Sequence, residues 1–147
     1  MAVNDAEAWQ ERVDRSIREA AAFAPFFGEW AGEGEAHGEA IFARMLAHPL
    51  LDGSHVEVRE LGDTHEDRSF YRFEPEDGSL RVLHMLPGAT MREYPVERTP
   101  DGLVWVTPPG EPSVEWRFLA DRLECDVTWP GESAPDVRMV WRRVEAR

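Results

Sequence analysis

From residue 28 onward, apolar and polar residues alternate in short runs, and turn residues recur about every ten positions. The turns are Asp52-Gly53, Gly62-Asp63, Glu76-Asp77-Gly78, Pro87-Gly88, Pro100-Asp101-Gly102, Pro108-Pro109-Gly110, Asp121 and Pro130-Gly131. These residue types supply a positive or a preset φ. The pattern predicts about ten strands, near 29–36, 38–47, 53–61, 67–74, 79–86, 89–97, 102–107, 112–119, 122–129 and 136–144. Short connections make successive strands antiparallel neighbours. An open meander would leave two unpaired edges, so a closed up-and-down β-barrel is the expected all-β fold. Upstream, Trp9, Val13, Ile17 and Ala20/Ala21 recur at helical spacing, which predicts one amphipathic helix over 5–22. Asn4 or Asp5 would cap it, and Pro25 would end it. Its stripe suits the end of a barrel, or equally an ordinary core contact. The chain reads as a single domain over 1–147, with the barrel over 28–144.

Strand alternation predicts the inner face. Leu123, Cys125, Val127 and Trp129 share one side of their strand, opposite Arg122, Glu124, Asp126 and Thr128. Val114, Trp116 and Phe118 oppose Glu115 and Arg117, while Val137, Met139 and Trp141 oppose Arg138 and Arg142. In the middle strands, Leu80, Val82, His84 and Leu86 share a face, as do Thr90, Arg92, Tyr94 and Val96. With the apolar faces inward, His84, Arg92 and Tyr94 enter the lumen, joined by Tyr71 and Phe73. An apolar cavity with a few converging polar groups is the usual build of a small-molecule site. Val56, Val58, Phe73, Val82, Trp116 and Trp129 are the expected lining, and Arg92 would anchor an anionic group. The other register, with Met91 inside and Arg92 on an exposed edge, is open to the same residues. His84 also fits a hydrogen-bonded core histidine, and Tyr71 and Tyr94 fit wall residues.

Composition narrows the function classes. There are 29 acidic residues against 16 basic ones, a formal net charge of -13, and every basic residue is Arg. That balance disfavours a nucleic-acid backbone or an anionic membrane as partner. Cys125 is the sole cysteine, so an intramolecular disulfide and a cysteine-based zinc site are excluded. The polar first residues do not read as a secretory signal, and a cytoplasmic protein is expected. There is no Gly-x-Ser-x-Gly, phosphate-cradling loop or His-Glu-x-x-His, so no catalytic residue and no metal site is assigned. Ser54 and His55, as consecutive strand residues, would point to opposite faces. Glu33, Glu35 and His37 read as solvated strand charges, and His48, His55 and His65 fall near turns without zinc-ligand spacing.

Gly28-Glu29-Trp30-Ala31-Gly32-Glu33-Gly34 opens the meander. Together with Leu51-Asp52-Gly53 and Tyr71-Arg72-Phe73-Glu74-Pro75-Glu76-Asp77-Gly78, it resembles the calycin superfamily. The likeness is nearest to uncharacterised bacterial lipocalin-like, fatty-acid-binding-protein-like barrels, over about residues 23–144. The resemblance implies that Trp30 plugs a closed end among Gly28, Gly32 and Gly34. It also implies that a last-strand arginine, Arg142 or Arg143, packs over that ring. Gly28–Gly34 is also similar to the opening of nitrobindins, haem-binding barrels that act on peroxynitrite. Residues 136–144 lack the late histidine that family uses, and its Tyr-Pro phrase is absent, so haem would fall to His84 or another histidine. The Arg-x-Tyr clamp of fatty-acid-binding proteins is also missing from the last strand.

The expected function is therefore a non-enzymatic intracellular carrier or sensor. It would take a small hydrophobic or amphipathic molecule, with an anionic group matched to Arg92 and no resident cofactor. Tyr71, His84, Arg92, Tyr94, Trp116 and Trp129 are the candidate binding residues. A haem barrel, an isomerase using His84 as acid and base, and a filled interaction module are the alternatives.

Overall fold

The computed structural model describes residues 2–63, 66–88 and 91–145. Helix α1 spans Ala2–Ala20 and runs into a 3-10 segment, Ala21–Phe26. Ten strands follow: β1 Gly28–Ala36, β2 Glu39–Leu50, β3 His55–Gly62, β4 Glu66–Glu74, β5 Ser79–Met85, β6 Arg92–Thr99, β7 Gly102–Trp105, β8 Ser113–Phe118, β9 Leu123–Thr128 and β10 Val137–Arg143. Each pairs antiparallel with the next, and β1 also pairs with β10. The sheet therefore closes as a ten-stranded up-and-down barrel and leaves no free edge. The helix starts upstream of the caps expected at Asn4 and Asp5. Pro25 lies within the 3-10 segment rather than beyond the helix. No described helix is long and apolar enough to cross a membrane.

Helix α1 covers one end of the barrel. The Arg15 guanidinium lies 5.0 Å from the Phe73 ring, Arg12 reaches Glu76 at 3.4 Å, and Glu19 reaches Arg98 at 3.6 Å. The 3-10 segment then inserts Phe23 and Phe26, both fully buried, into the barrel interior. Phe26 stacks on Tyr71 at 5.0 Å and meets Trp116 and Phe118 edge-on at the same distance. Phe23 lies 4.9 Å from Tyr71. Burial of each ring contributes about 1.5–3 kcal/mol, so these two phenylalanines are a large part of what holds the helix down.

Trp30 completes this plug. Its indole N–H donates to the Phe26 carbonyl at 2.8 Å. The Arg143 guanidinium sits 4.3 Å over the ring and donates to the Phe27 carbonyl at 2.7 Å. The lid is thus Arg143. Arg142 pairs with Ala31 on the outer wall, and its nearest acid is Asp121 at 3.9 Å. Alternation decides between them, since only Arg143 shares the inward parity of Met139 and Trp141. Two glycines make room. Gly28 has φ +123°, and a Cβ there would stand 2.6 Å from the Arg143 guanidinium. A Cβ on Gly32 would stand 2.5 Å from the Trp141 ring.

The expected inner face is correct through the strand centres. Tyr71, Phe73, Val82, Val96, Trp116, Leu123, Cys125, Met139 and Trp141 are all buried. Expectation and structure part at strand ends. Trp129 lies just past β9 and is 42% exposed, and Leu86 lies just past β5 and is 41% exposed. Alternation in sequence continues past the last ladder bond, but the sheet that gives it meaning does not. Thr90 and His65 lie outside the described residues.

The plug makes a direct prediction. Gly32→Ala should cost about 1–3 kcal/mol in urea unfolding, because the new methyl overlaps the Trp141 ring. Arg143→Ala should cost about 1 kcal/mol. Arg142→Ala should stay within about 0.5 kcal/mol of the parent.

Candidate functional site

The end of the barrel away from α1 carries an interruption in its wall. β6 pairs with β7 only from Val96 to Thr99. One further backbone bond, Val106 N–H to the Pro95 carbonyl at 2.8 Å, marks the last contact. Beyond it, Pro108 and Pro109 lack the N–H groups that would extend β7, so the chain leaves the sheet. Residues 92–94 are left without a ladder partner on that side. A groove of about 640 Å³ opens there, lined by Met91, Arg92, Tyr94, Val106, Pro108 and Glu111 among others.

Arg92 and Tyr94 do share the inward parity of β6, as alternation predicts. Val82 pairs with Tyr94 and His84 with Arg92. Arg92, however, is the first residue of its strand, and its side chain is 58% exposed. It stands at the rim rather than in the lumen, and Glu111 answers its charge at 2.8 Å. The same Glu111 oxygen accepts the Tyr94 hydroxyl at 2.8 Å. Partial burial, followed by that carboxylate, holds the Tyr94 phenol above its ordinary pKa. Glu111 thus bridges the gap in the wall and already occupies the proposed anion anchor. It sits in a loop nineteen residues from Arg92, and strand alternation carried no signal for it.

Tyr94 links the groove to the interior. Its ring lies nearly parallel to Trp105 at 5.8 Å. The Trp105 indole donates to the Tyr71 hydroxyl at 3.1 Å, and His84 meets Trp105 edge-on at 5.1 Å. Tyr71, His84 and Tyr94 are therefore brought together around Trp105. Trp116 is deeper, against Phe26, and Trp129 is apart from the group, edge-on to His37 at 5.4 Å. Val56, Val58, Val82 and Phe73 belong to the packed core.

Sequence reasoning missed two acids on the inner wall. Glu60 follows Val56 and Val58 on the inward face of β3, and its register partner on β4 is Asp67. The two carboxyl groups hydrogen-bond, and burial followed by the Asp67 charge raises the Glu60 pKa well above the carboxylate range. His84 Nε2 stands 3.9 Å from Asp67 Oδ1, and desolvation lowers its pKa. Tyr71 and Cys125 are pushed up chiefly by burial, with the Glu60 and Asp67 charges adding to it. Continuing the period-two run past Val58 was the available signal.

Ser54 and His55 also depart from expectation. Ser54 precedes β3, and its hydroxyl lies 2.9 Å from His55 Nδ1. That hydroxyl also donates to the Leu51 carbonyl at 2.8 Å. With its proton committed to Leu51, Ser54 accepts from the imidazole, the reverse of nucleophile activation. Glu33 and Glu35 are exposed on β1. Among the described residues, no group of three or more His, Cys, Asp or Glu side chains is arranged to hold a metal ion.

No protein-family model matches this chain, and comparison with curated proteins finds no match. The reading of the site rests on its geometry.

The Glu60 shift has a stability consequence. A carboxyl whose folded pKa is raised contributes fully below its unfolded pKa and loses that contribution as pH rises through the folded value. The lowered His84 works in the opposite direction near neutrality, so the comparison must be between variants. Relative to the parent, Glu60→Gln should gain stability progressively as pH rises above about 4.5. Urea unfolding across a pH series checks this, and a pH-independent difference would contradict the assignment.

Proposed function

We propose that this protein is an intracellular carrier or sensor that binds a small apolar or amphipathic molecule at the gap between β6 and the 106–112 loop. The observation that carries the reading is the groove itself. It is a break in an otherwise continuous barrel wall, with Tyr94 and Trp105 leading from it to the interior. Its volume falls within the roughly 300–1,000 Å³ common for small-molecule sites. Apolar side chains stand exposed beside the Arg92–Glu111 pair: Met91 is 61% exposed, with Leu86 and Val106 also exposed at this end. Clustered apolar side chains around an opening favour uptake of apolar ligands.

The chemistry divides along the groove. An aromatic or aliphatic body would stack beside Tyr94 and Trp105. An anionic group could reach Arg92 only by displacing Glu111, which already forms a charge-assisted pair with it. The anchor expected for an anion is thus engaged, and the apolar part of the ligand carries most of the recognition at the groove.

Fluorescence titration with the neutral apolar probe N-phenyl-1-naphthylamine tests this. The parent should bind it with enhanced emission. Val106→Trp, which fills the groove, should weaken binding by about tenfold. Phe42→Trp, on the exposed outer wall away from the groove, should leave it unchanged. Absence of binding, or binding indifferent to Val106→Trp, would overturn the proposal.

A further inference from the structure

We propose that the molecule bound at the groove is a short apolar peptide, which adds to the barrel as a strand along the open edge of β6 and exchanges hydrogen bonds with the Glu93 backbone. The inference rests on the reading that the groove is a binding site, and it names the chemistry of what enters.

Backbone direction is the first observation. In an antiparallel ladder, alternate residues turn both N–H and C=O to the same neighbouring strand. The Pro95 carbonyl accepts the Val106 N–H at 2.8 Å, so Pro95 faces the β7 side. Glu93, two residues earlier on β6, faces the same way. The pairing with β5 agrees: Arg92, Tyr94 and Val96 are left to exchange bonds with His84, Val82 and Leu80, and Pro95 falls where β5 needs no N–H. The Glu93 N–H and C=O therefore point into the gap. Neither the β7 ladder nor a loop backbone bond among the described residues reaches them. Unpaired strand groups of this kind are a template for another extended chain.

The second observation is that the chain cannot fill this place itself. With Val106 against Pro95, a longer β7 would bring residue 108 opposite Glu93. That residue is Pro108, which has no N–H to donate. Its carbonyl already accepts the Glu111 N–H at 3.2 Å. Both halves of the exchange with Glu93 are thus closed to the loop, while an amide from outside can supply both.

Side chains at the edge set the character of the guest. Met91 and Val106 are exposed beside it, and Pro95 and Pro108 complete the flank. The charges nearby are already matched. The Glu93 carboxylate leans away from the gap, onto Arg72 at 2.9 Å and Arg81 at 3.3 Å, and Arg92 is held by Glu111. An uncharged, apolar peptide meets these surroundings without stranding an ion. Its side chains would alternate between the outer flank and the inner side, where Tyr94 stands. The open interval at residues 92–94 corresponds to about three residues of guest, roughly 10 Å of extended chain. Because main-chain bonds carry the recognition, varied apolar sequences should be accepted.

Displacement of N-phenyl-1-naphthylamine by acetyl-Val-Leu-Val-methylamide tests the proposal, beside the same tripeptide methylated on every amide nitrogen. The methylated form is more apolar but cannot donate, so it should bind at least about tenfold more weakly. Amide hydrogen exchange of the parent protein should show Glu93 protected by the tripeptide and not by the naphthylamine. Glu93→Pro removes the N–H and Glu93→Ala keeps it, while both remove the carboxylate. Proline is tolerated where a strand's N–H faces a free edge. The tripeptide should bind Glu93→Pro about tenfold more weakly than Glu93→Ala, with equal naphthylamine affinity in the two. A methylated tripeptide that binds as well as the unmethylated one, or an unprotected Glu93 amide at saturation, overturns the inference and leaves the groove reading standing. So does equal tripeptide affinity of the folded Pro and Ala variants, or no tripeptide binding while the naphthylamine binds. A dimer that Glu93→Pro alone dissociates assigns the edge to a second copy of the chain and overturns it as well. If neither probe binds, both readings fall.

Discussion

Closure of the sheet between β1 and β10 is the constraint on which the rest of this barrel depends. The first and last strands must meet in register, and the end where they meet must be filled. Trp30, Arg143 and Phe26 do both. Arg143 lies on the Trp30 ring and bonds the Phe27 carbonyl, while the Trp30 indole bonds the Phe26 carbonyl. The chain before β1, the start of β1 and the end of β10 are thus tied at one point. Gly32 lets the Trp141 ring lie against the β1 backbone at the same seam. A sheet that did not close here would expose β1 and β10 as unpaired edges.

This lock divides the interior. At the helix end, Phe23, Phe26, Trp30 and Tyr71 pack into a continuous apolar core. Toward the far end, polar groups line the inner wall: Glu60, Asp67, His84 and Ser69, with Tyr94 and Arg92 at the rim. Burying such groups costs stability. The direction of the Glu60 and His84 shifts records that cost, since both are displaced toward their uncharged forms. A barrel selected for stability alone would carry apolar side chains at these positions.

The wall gap has an equally local cause. β7 is only four residues long: the next position, Val106, faces Pro95, which has no N–H to return its bond, and Pro108 and Pro109 cannot resume the ladder while β6 continues past it. Glu111 returns from the following loop to hold Arg92 and Tyr94. The groove is therefore built by loop residues acting on a strand that has outrun its neighbour. The prolines were visible as turn signals in the sequence. Their effect on the neighbouring strand was not, because it depends on where β6 ends relative to β7.

Alternation along the chain determined the ten strands, their antiparallel order and the inward parity of Tyr71, His84, Tyr94 and Trp116. These follow from period-two geometry and short turns, which are local properties. The glycines and Trp30 likewise marked the closed end. Tertiary structure decided everything that depends on two distant residues meeting. It chose Arg143 over Arg142 above Trp30, moved Arg92 to the rim against Glu111, left Trp129 outside beyond its strand, and set Glu60 against Asp67 across β3 and β4. The reason is that alternation assigns a face to each residue. Only the closed, staggered sheet assigns its height along the barrel and its partner across the wall.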